Sequence, residues 1–170
     1  PIIVALDLMD PKRPQAETLV RHFLAGATNP PPELRMAYVR SLLNAKRFQN
    51  ALTQFQSLTQ DMPEFAQAWL VLGSLQLQEN QTALAEASLK QYIALAEKQA
   101  PGEERTRGLS QAFFALAQIA EKRKDLPAAD AWLKQIESPE SLMQAQMRRA
   151  ILLGQQGKLA EGIQLIGELP

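Results

Sequence analysis

The sequence predicts an all-α fold, a row of stacked antiparallel helix hairpins with no single globular centre, and three observations predict it. The first is a recurring triplet in which a small residue is followed four places on by a large apolar one and three after that by another. It occurs at Ala16/Val20/Phe23, Ala51/Phe55/Leu58, Ala85/Leu89/Tyr92, Ala129/Leu133/Ile136 and Gly162/Ile166/Leu169. Steps of four and three keep each triplet on one helical face, and the small member lets a second helix approach closely. The second observation is the interval between the small residues, 35, 34, 44 and 33 positions, which is the period of a helix-turn-helix solenoid. The third is punctuation: Pro and Gly fall between the apolar-periodic segments, where they start helices well and interrupt them badly.

Each element follows from that frame. Residues 2 to 9 read as the tail of a first helix, because the apolar opening lacks the basic start and the length of a secretory signal. Asp10-Pro11-Lys12-Arg13-Pro14 leads into a helix over residues 15 to 25, which Asn29-Pro30-Pro31-Pro32 closes. Helices over 33 to 44 and 49 to 60 form the next hairpin across Ala45-Lys46-Arg47, ended by Asp61-Met62-Pro63. Helices over 65 to 78 and 83 to 99 follow, joined by Glu79-Asn80-Gln81 and broken at Pro101-Gly102. The longer 44-residue interval places an insertion near 96 to 108, as a loop or an extended helix end. Helices over 109 to 122 and 128 to 137 turn at Lys124-Asp125-Leu126-Pro127, and Ser138-Pro139 marks the next start. The last pair spans 142 to 155 and 159 to 169, joined through Gly157-Lys158. In units this is a partial repeat over 1–31, repeats over 32–65, 66–109 and 110–142, and a truncated one over 143–170. Leu165, Ile166 and Leu169 form an apolar face with no polar capping helix, so both ends read as cut from a longer array.

Composition narrows the function. Formal net charge is +0, with Lys+Arg 18 and Asp+Glu 18, so no overall field draws the chain to nucleic acid or anionic lipid. Neither Lys122-Arg123-Lys124 nor Arg148-Arg149 is interleaved with base-stacking aromatics, and nucleic acid is not an expected partner. No apolar run approaches the roughly twenty residues that cross a bilayer, so no membrane contact by this segment is expected. Cys 0 removes disulfides and thiolate metal sites and fits either a reducing cytoplasm or an oxidising periplasm. With His 1, only His22 could serve a serine-histidine set, and no nucleophile motif or ligand spacing accompanies it. Gly154-Gln155-Gln156-Gly157-Lys158 is too short for a phosphate loop, and Leu159 stands where its hydroxyl residue would be. Glu103-Glu104 and Glu137 with Glu140 sit in polar linkers and read as solvated charge. No catalytic residue, metal or cofactor is expected.

The residues resemble the tetratricopeptide repeat family. Trp69-x-x-Leu72-Gly73, followed by Ala85, Leu89 and Pro101, is close to its signature. The preceding unit keeps Tyr38, Leu42, Phe48, Ala51, Phe55 and Pro63, and the following one keeps Phe113, Leu116, Ala117, Ala120, Leu126, Ala129 and Leu133. Departures are Gln76 where an aromatic is usual, Arg35 and Gln146 at the place of Trp69, and Gly162 for alanine. The resemblance implies a right-handed superhelical solenoid of about four full repeats after a partial one. Segments 116–125 and 148–153 are also similar to large proteobacterial repeat proteins of the cell envelope, which implies a scaffold or adaptor in the periplasm.

In this family the first helix of each hairpin lines a concave groove. The face beside Trp69, Leu72 and Gly73 carries Leu70, Ser74, Leu77 and Gln78; its equivalents are Met36, Arg40, Leu43 and Asn44, then Phe114 and Gln118, then Met147 and Ile151. Apolar anchors interleaved with amides suit an extended or helical peptide, whose side chains fill pockets while amides meet its backbone groups. Leu70, Leu77 and Phe114 fit equally as core between repeats, whereas Met36, Arg40, Asn44, Ser74, Gln78 and Gln118 are the favoured groove positions. Some members grip a peptide carboxylate with a lysine and an asparagine. Here those places carry Met36 and Arg40, which disfavours a chaperone-tail receptor while leaving Arg40 able to pair with an acidic ligand.

The function expected is therefore a non-catalytic scaffold that binds a protein or peptide. Alternatives are an architectural arm whose ends stack on further repeats or a second copy, and a helical accessory of an enzyme whose catalytic domain lies elsewhere. The register itself is testable: Ala51→Leu or Ala85→Leu overpacks its hairpin and lowers stability by roughly 1 to 3 kcal/mol, read from thermal unfolding.

Overall fold

The structure is a computed structural model that describes residues 14–27 and 30–168. Residues 2 to 9 and the turn before Pro14, together with Asn29 and Leu169, lie outside the described residues. Within them the chain runs α1 (Pro14–Gly26), α2 (Pro32–Asn44), α3 (Phe48–Asp61), α4 (Ala66–Gln78), α5 (Thr82–Ala96), α6 (Glu103–Lys122), α7 (Leu126–Lys134), α8 (Pro139–Gln155) and α9 (Leu159–Gly167). From α2 onward each helix packs on the next in sequence, and α4 also touches α6 across the intervening α5. Among the described residues there is no strand, and no helix is long and apolar enough to cross a membrane.

One turn geometry makes every hairpin. Lys46, Asn80, Lys124 and Gly157 adopt left-handed backbone angles, with φ of 57°, 59°, 61° and 78°. The amide that follows each one bonds back to the carbonyl five residues earlier: Arg47 to Leu42, Gln81 to Gln76, Asp125 to Ala120 and Lys158 to Leu153. This closure satisfies carbonyls that a helix end would otherwise leave unpaired. In all four hairpins the small residue of the triplet lies five positions after the left-handed one, so the turn sets which face of the second helix meets the first. There the approach is close. A Cβ on Gly73 would lie 2.8 Å from Leu89 Cγ, and one on Gly162 would lie 2.9 Å from the Ala150 carbonyl oxygen. Glycine in place of alanine at position 162 is thus what lets α9 sit down on α8.

Packing follows from stacking. Helices this short are marginal alone in water, so buried faces must hold them. One core gathers Val20, Tyr38, Leu42, Phe55 and Leu72 from α1 to α4, and a second gathers Leu70, Leu89, Phe113, Leu116 and Leu133 further along. Helix α4 belongs to both: Ala68, Leu72 and Leu75 point to the first, Ala66, Leu70 and Leu77 to the second, and Trp69 packs against each. Trp69 donates its indole N–H to the Pro63 carbonyl at 2.8 Å, and Trp132 stacks on Phe113 with ring centroids 6.1 Å apart. The departures from the repeat pattern are accommodated. Gln76, buried, accepts a hydrogen bond from the Ser88 hydroxyl at 2.7 Å, and Arg35 reaches Asp61 at 2.7 Å and Ser57 at 3.0 Å.

Of the two forms expected for the insertion, the structure shows the extended helix end: it is the N-terminal extension of α6, which begins at Glu103 and runs for 20 residues. Glu103 and Glu104 therefore open a helix, where carboxylates favour the macrodipole, and Glu103 pairs with Arg107 one turn on. Helix α7 begins at Leu126, two residues earlier than expected, because Asp125 caps the Ala128 amide and Pro127 lies in the first turn.

Helix α1 is tied down electrostatically. Glu17 accepts hydrogen bonds from Arg47 and from the Tyr38 hydroxyl. The Arg47 bond outweighs burial and holds the Glu17 carboxyl below its ordinary range, while burial pushes the Tyr38 hydroxyl up. A lowered carboxylate pKa stabilises the fold above the unfolded value and loses that contribution as pH falls through the folded one. Glu17→Gln should therefore lower stability by about 0.5 to 1 kcal/mol at neutral pH, with the gap to wild type closing below about pH 4 in thermal melts.

The α6 extension yields a second prediction. A Cβ on Gly108 would lie 2.0 Å from the Tyr92 hydroxyl oxygen. Gly108→Ala should destabilise by about 1 to 3 kcal/mol, and adding Tyr92→Phe should recover part of that loss in a double-mutant cycle of melting curves.

Candidate functional site

The first helices α2, α4, α6 and α8 carry every groove residue expected from the sequence, and their burial sorts them. Met36, Leu70 and Leu77 are core residues. Met36 packs with the α2 to α4 cluster, which corrects its expected place among the accessible groove positions. Leu70 lies against α6, its Cδ2 3.5 Å from where a Gly108 side chain would begin, so the extension at 103 to 108 covers it. The reason is common to both: a first helix seats its side chain at this place under the first helix of the next pair. Leu43, Ser74 and Phe114 are half-buried, while Arg40, Asn44, Gln78, Gln118, Met147 and Ile151 are exposed.

Geometry adds residues that the pattern search missed. The Gln111 side-chain amide donates to the Ser74 hydroxyl at 3.3 Å, joining α6 to α4 on the accessible side. Gln111 lies seven residues before Gln118, two helical turns, and that spacing could have identified it. Near the other end of the same face, Lys122 Nζ lies 3.5 Å from Asn80 Oδ1. Glu121 then accepts from Arg148 at 2.7 Å, which locks α6 to α8. Arg40, Asn44, Gln78, Gln111 and Gln118 are thus exposed polar side chains on three successive first helices, and Met147 and Ile151 are exposed on the fourth. Arg40 makes no ion pair among the described residues, whereas Arg35, Arg47, Arg123, Arg148 and Arg149 are each held by a carboxylate.

What this surface can do is bind, by donors, acceptors and apolar side chains presented along several helices. Side-chain amides offer both donors and acceptors to an extended backbone, and a free guanidinium favours a carboxylate. A cleft of about 450 Å³ sits between α1 and the α2/α3 pair, bounded by Arg21, Leu24, Arg35, Tyr38 and Asp61. His22, on α1, is exposed. Gly157 serves as the left-handed residue of a hairpin turn, which accounts for the Gly154 to Lys158 segment.

Comparison with known proteins matches this architecture. Residues 36–103 match a family model described as a tetratricopeptide repeat. No curated protein sequence matches the chain. A crystal structure of MamA superposes with a TM-score of 0.72 at 14% identity, covering 89% of this chain and 83% of that one. A MamA fragment from Desulfovibrio magneticus RS-1 gives 0.69 at 15% identity, covering 91% and 81%. A putative kinesin light chain from Podosopora anserina, with nearly identical repeats of this type, gives 0.67 at 15% identity, covering 89% and 80%. At such identities the likeness establishes the fold. Residues 36–103 thus match the tetratricopeptide repeat family, and the described chain as a whole has the stacked-hairpin fold of the structures it superposes on.

Proposed function

We propose that the chain is a protein-binding scaffold that receives an extended segment of a partner protein along the face formed by its first helices. The observation that carries this reading is the accessible polar strip Arg40, Asn44, Gln78, Gln111 and Gln118, contributed by three successive hairpins. Amides spaced along such a strip meet backbone groups without regard to sequence, and Arg40 selects a segment with a carboxylate at that end. Met147 and Ile151 continue the same face with apolar contacts. The cell-envelope setting rests on the resemblance of segments 116–125 and 148–153 alone.

The test is recovery of partners from envelope and cytoplasmic extracts on immobilised wild type, Arg40→Glu and Gln78→Glu chains. A partner recovered by wild type should be depleted at least about tenfold by Arg40→Glu, which reverses the charge and corresponds to about 1.4 kcal/mol. Recovery that both substitutions leave unchanged refutes the groove assignment. Enrichment from the envelope extract supports that setting, and enrichment only from the cytoplasmic one removes it.

A further inference from the structure

The α6 extension forms one wall of a cleft in the middle of the chain, at the end of α4 remote from Gln78. It encloses about 400 Å³ between the start of α4, the end of α5 and the start of α6. That volume falls among small-molecule sites, which run from roughly 300 to 1,000 Å³. Two hydrogen-bond donors line it with nothing to donate to. Tyr92 is 4% exposed, and its hydroxyl, unlike that of Tyr38, has no hydrogen-bond partner among the described residues. Gly108 gives that hydroxyl its place, since a Cβ there would lie 2.0 Å from the oxygen. Burial first, then the Glu104 charge, push the Tyr92 pKa up, so the phenol keeps its proton at neutral pH. Arg105 is the second donor. The other half-buried arginines, Arg35, Arg47, Arg148 and Arg149, are each held by a carboxylate. Arg105 pairs with none among the described residues, and its Nε is buried without an acceptor.

Unmet buried donors are costly, and a guanidinium most favours a carboxylate. The same cleft is lined by Glu64 and Glu104, which are exposed and have no cation within ion-pair reach among the described residues. A simple anion would suit Arg105 and Tyr92 but be repelled by the two carboxylates. A simple cation would suit the carboxylates and leave both donors unmet. A ligand that carries both charges meets all four groups. We propose that this cleft binds a zwitterion of the size of a free amino acid or a dipeptide, its carboxylate toward Arg105 and Tyr92 and its ammonium toward Glu64 and Glu104. Phe65 and Ala66 supply apolar lining for its side chain, and the Gln67 amide can meet its backbone.

Isothermal titration calorimetry of the 170-residue chain with phenylalanine and with alanyl-phenylalanine tests this. At least one should bind with a dissociation constant of about 1 mM or tighter, and the tighter of the two tells a free amino acid from a dipeptide. The N-acetylated form of that ligand lacks the ammonium and the C-amidated form lacks the carboxylate. Each should bind at least about tenfold more weakly, as should the original ligand to Arg105→Gln, with helical circular dichroism unchanged. Tyr92→Phe, which removes only the hydroxyl, should weaken binding about threefold or more. Absence of binding by both ligands at about 10 mM overturns the proposal. So does equal binding of either blocked form, or wild-type affinity in a folded Arg105→Gln chain. Arg40→Glu should leave this binding unchanged, so failure here leaves the groove reading standing.

Discussion

Each helix pair in this protein keeps its apolar side dry only because the next pair lies on it. The helices run from 9 to 20 residues, lengths at which most are marginal in isolation, and the second helix of each pair is covered on its far side by the first helix of its successor. Burying one Leu or Phe contributes roughly 1.5 to 3 kcal/mol, so the fully buried Phe55, Leu89 and Leu133 carry much of the stack. Stability is therefore a property of junctions more than of helices, as expected for a quasi-one-dimensional array. The accessible face of the first helices inherits its position from the same junctions, since Glu121 with Arg148 and Gln111 with Ser74 hold successive first helices side by side.

Local geometry makes the junctions repeatable. A left-handed residue, then a small residue five places later, recurs in four hairpins whether the first is lysine, asparagine or glycine. Lysine is an unfavourable occupant of that conformation, with a cost of about 1 to 2 kcal/mol relative to the right-handed region. Its presence at 46 and 124 indicates that packing of Ala51 and Ala129 determines the turn, with the turn residue following.

The sequence made the fold legible because small and large residues alternate at a constant offset, and that offset survives in three dimensions from Val20 to Leu133. What it hid has physical causes. The α6 extension was ambiguous because Glu103 to Arg107 is polar enough for a loop, and only the cover it provides for Leu70 reveals its role. Met36 was misplaced because the repeat pattern marks its helical position but not its burial, which comes from sharing a cluster with Ala68 and Leu72 of the next hairpin. Gln111 escaped because a polar residue on an exposed face carries no periodic signal, and only its bond to Ser74 ties it to the groove. The accessible strip was recognisable in outline from the repeat resemblance, while the accessibility of each member depended on its neighbours.

Helix α4, apolar on nearly every side, has one more effect. It belongs to both cores at once, with Trp69 set in the seam. A chain divided in this way has a natural parting line. The segments on either side can exchange their amide hydrogens as separate cooperative blocks, and tension along the long axis would separate them there first, with the indole of Trp69 reporting the event by its emission.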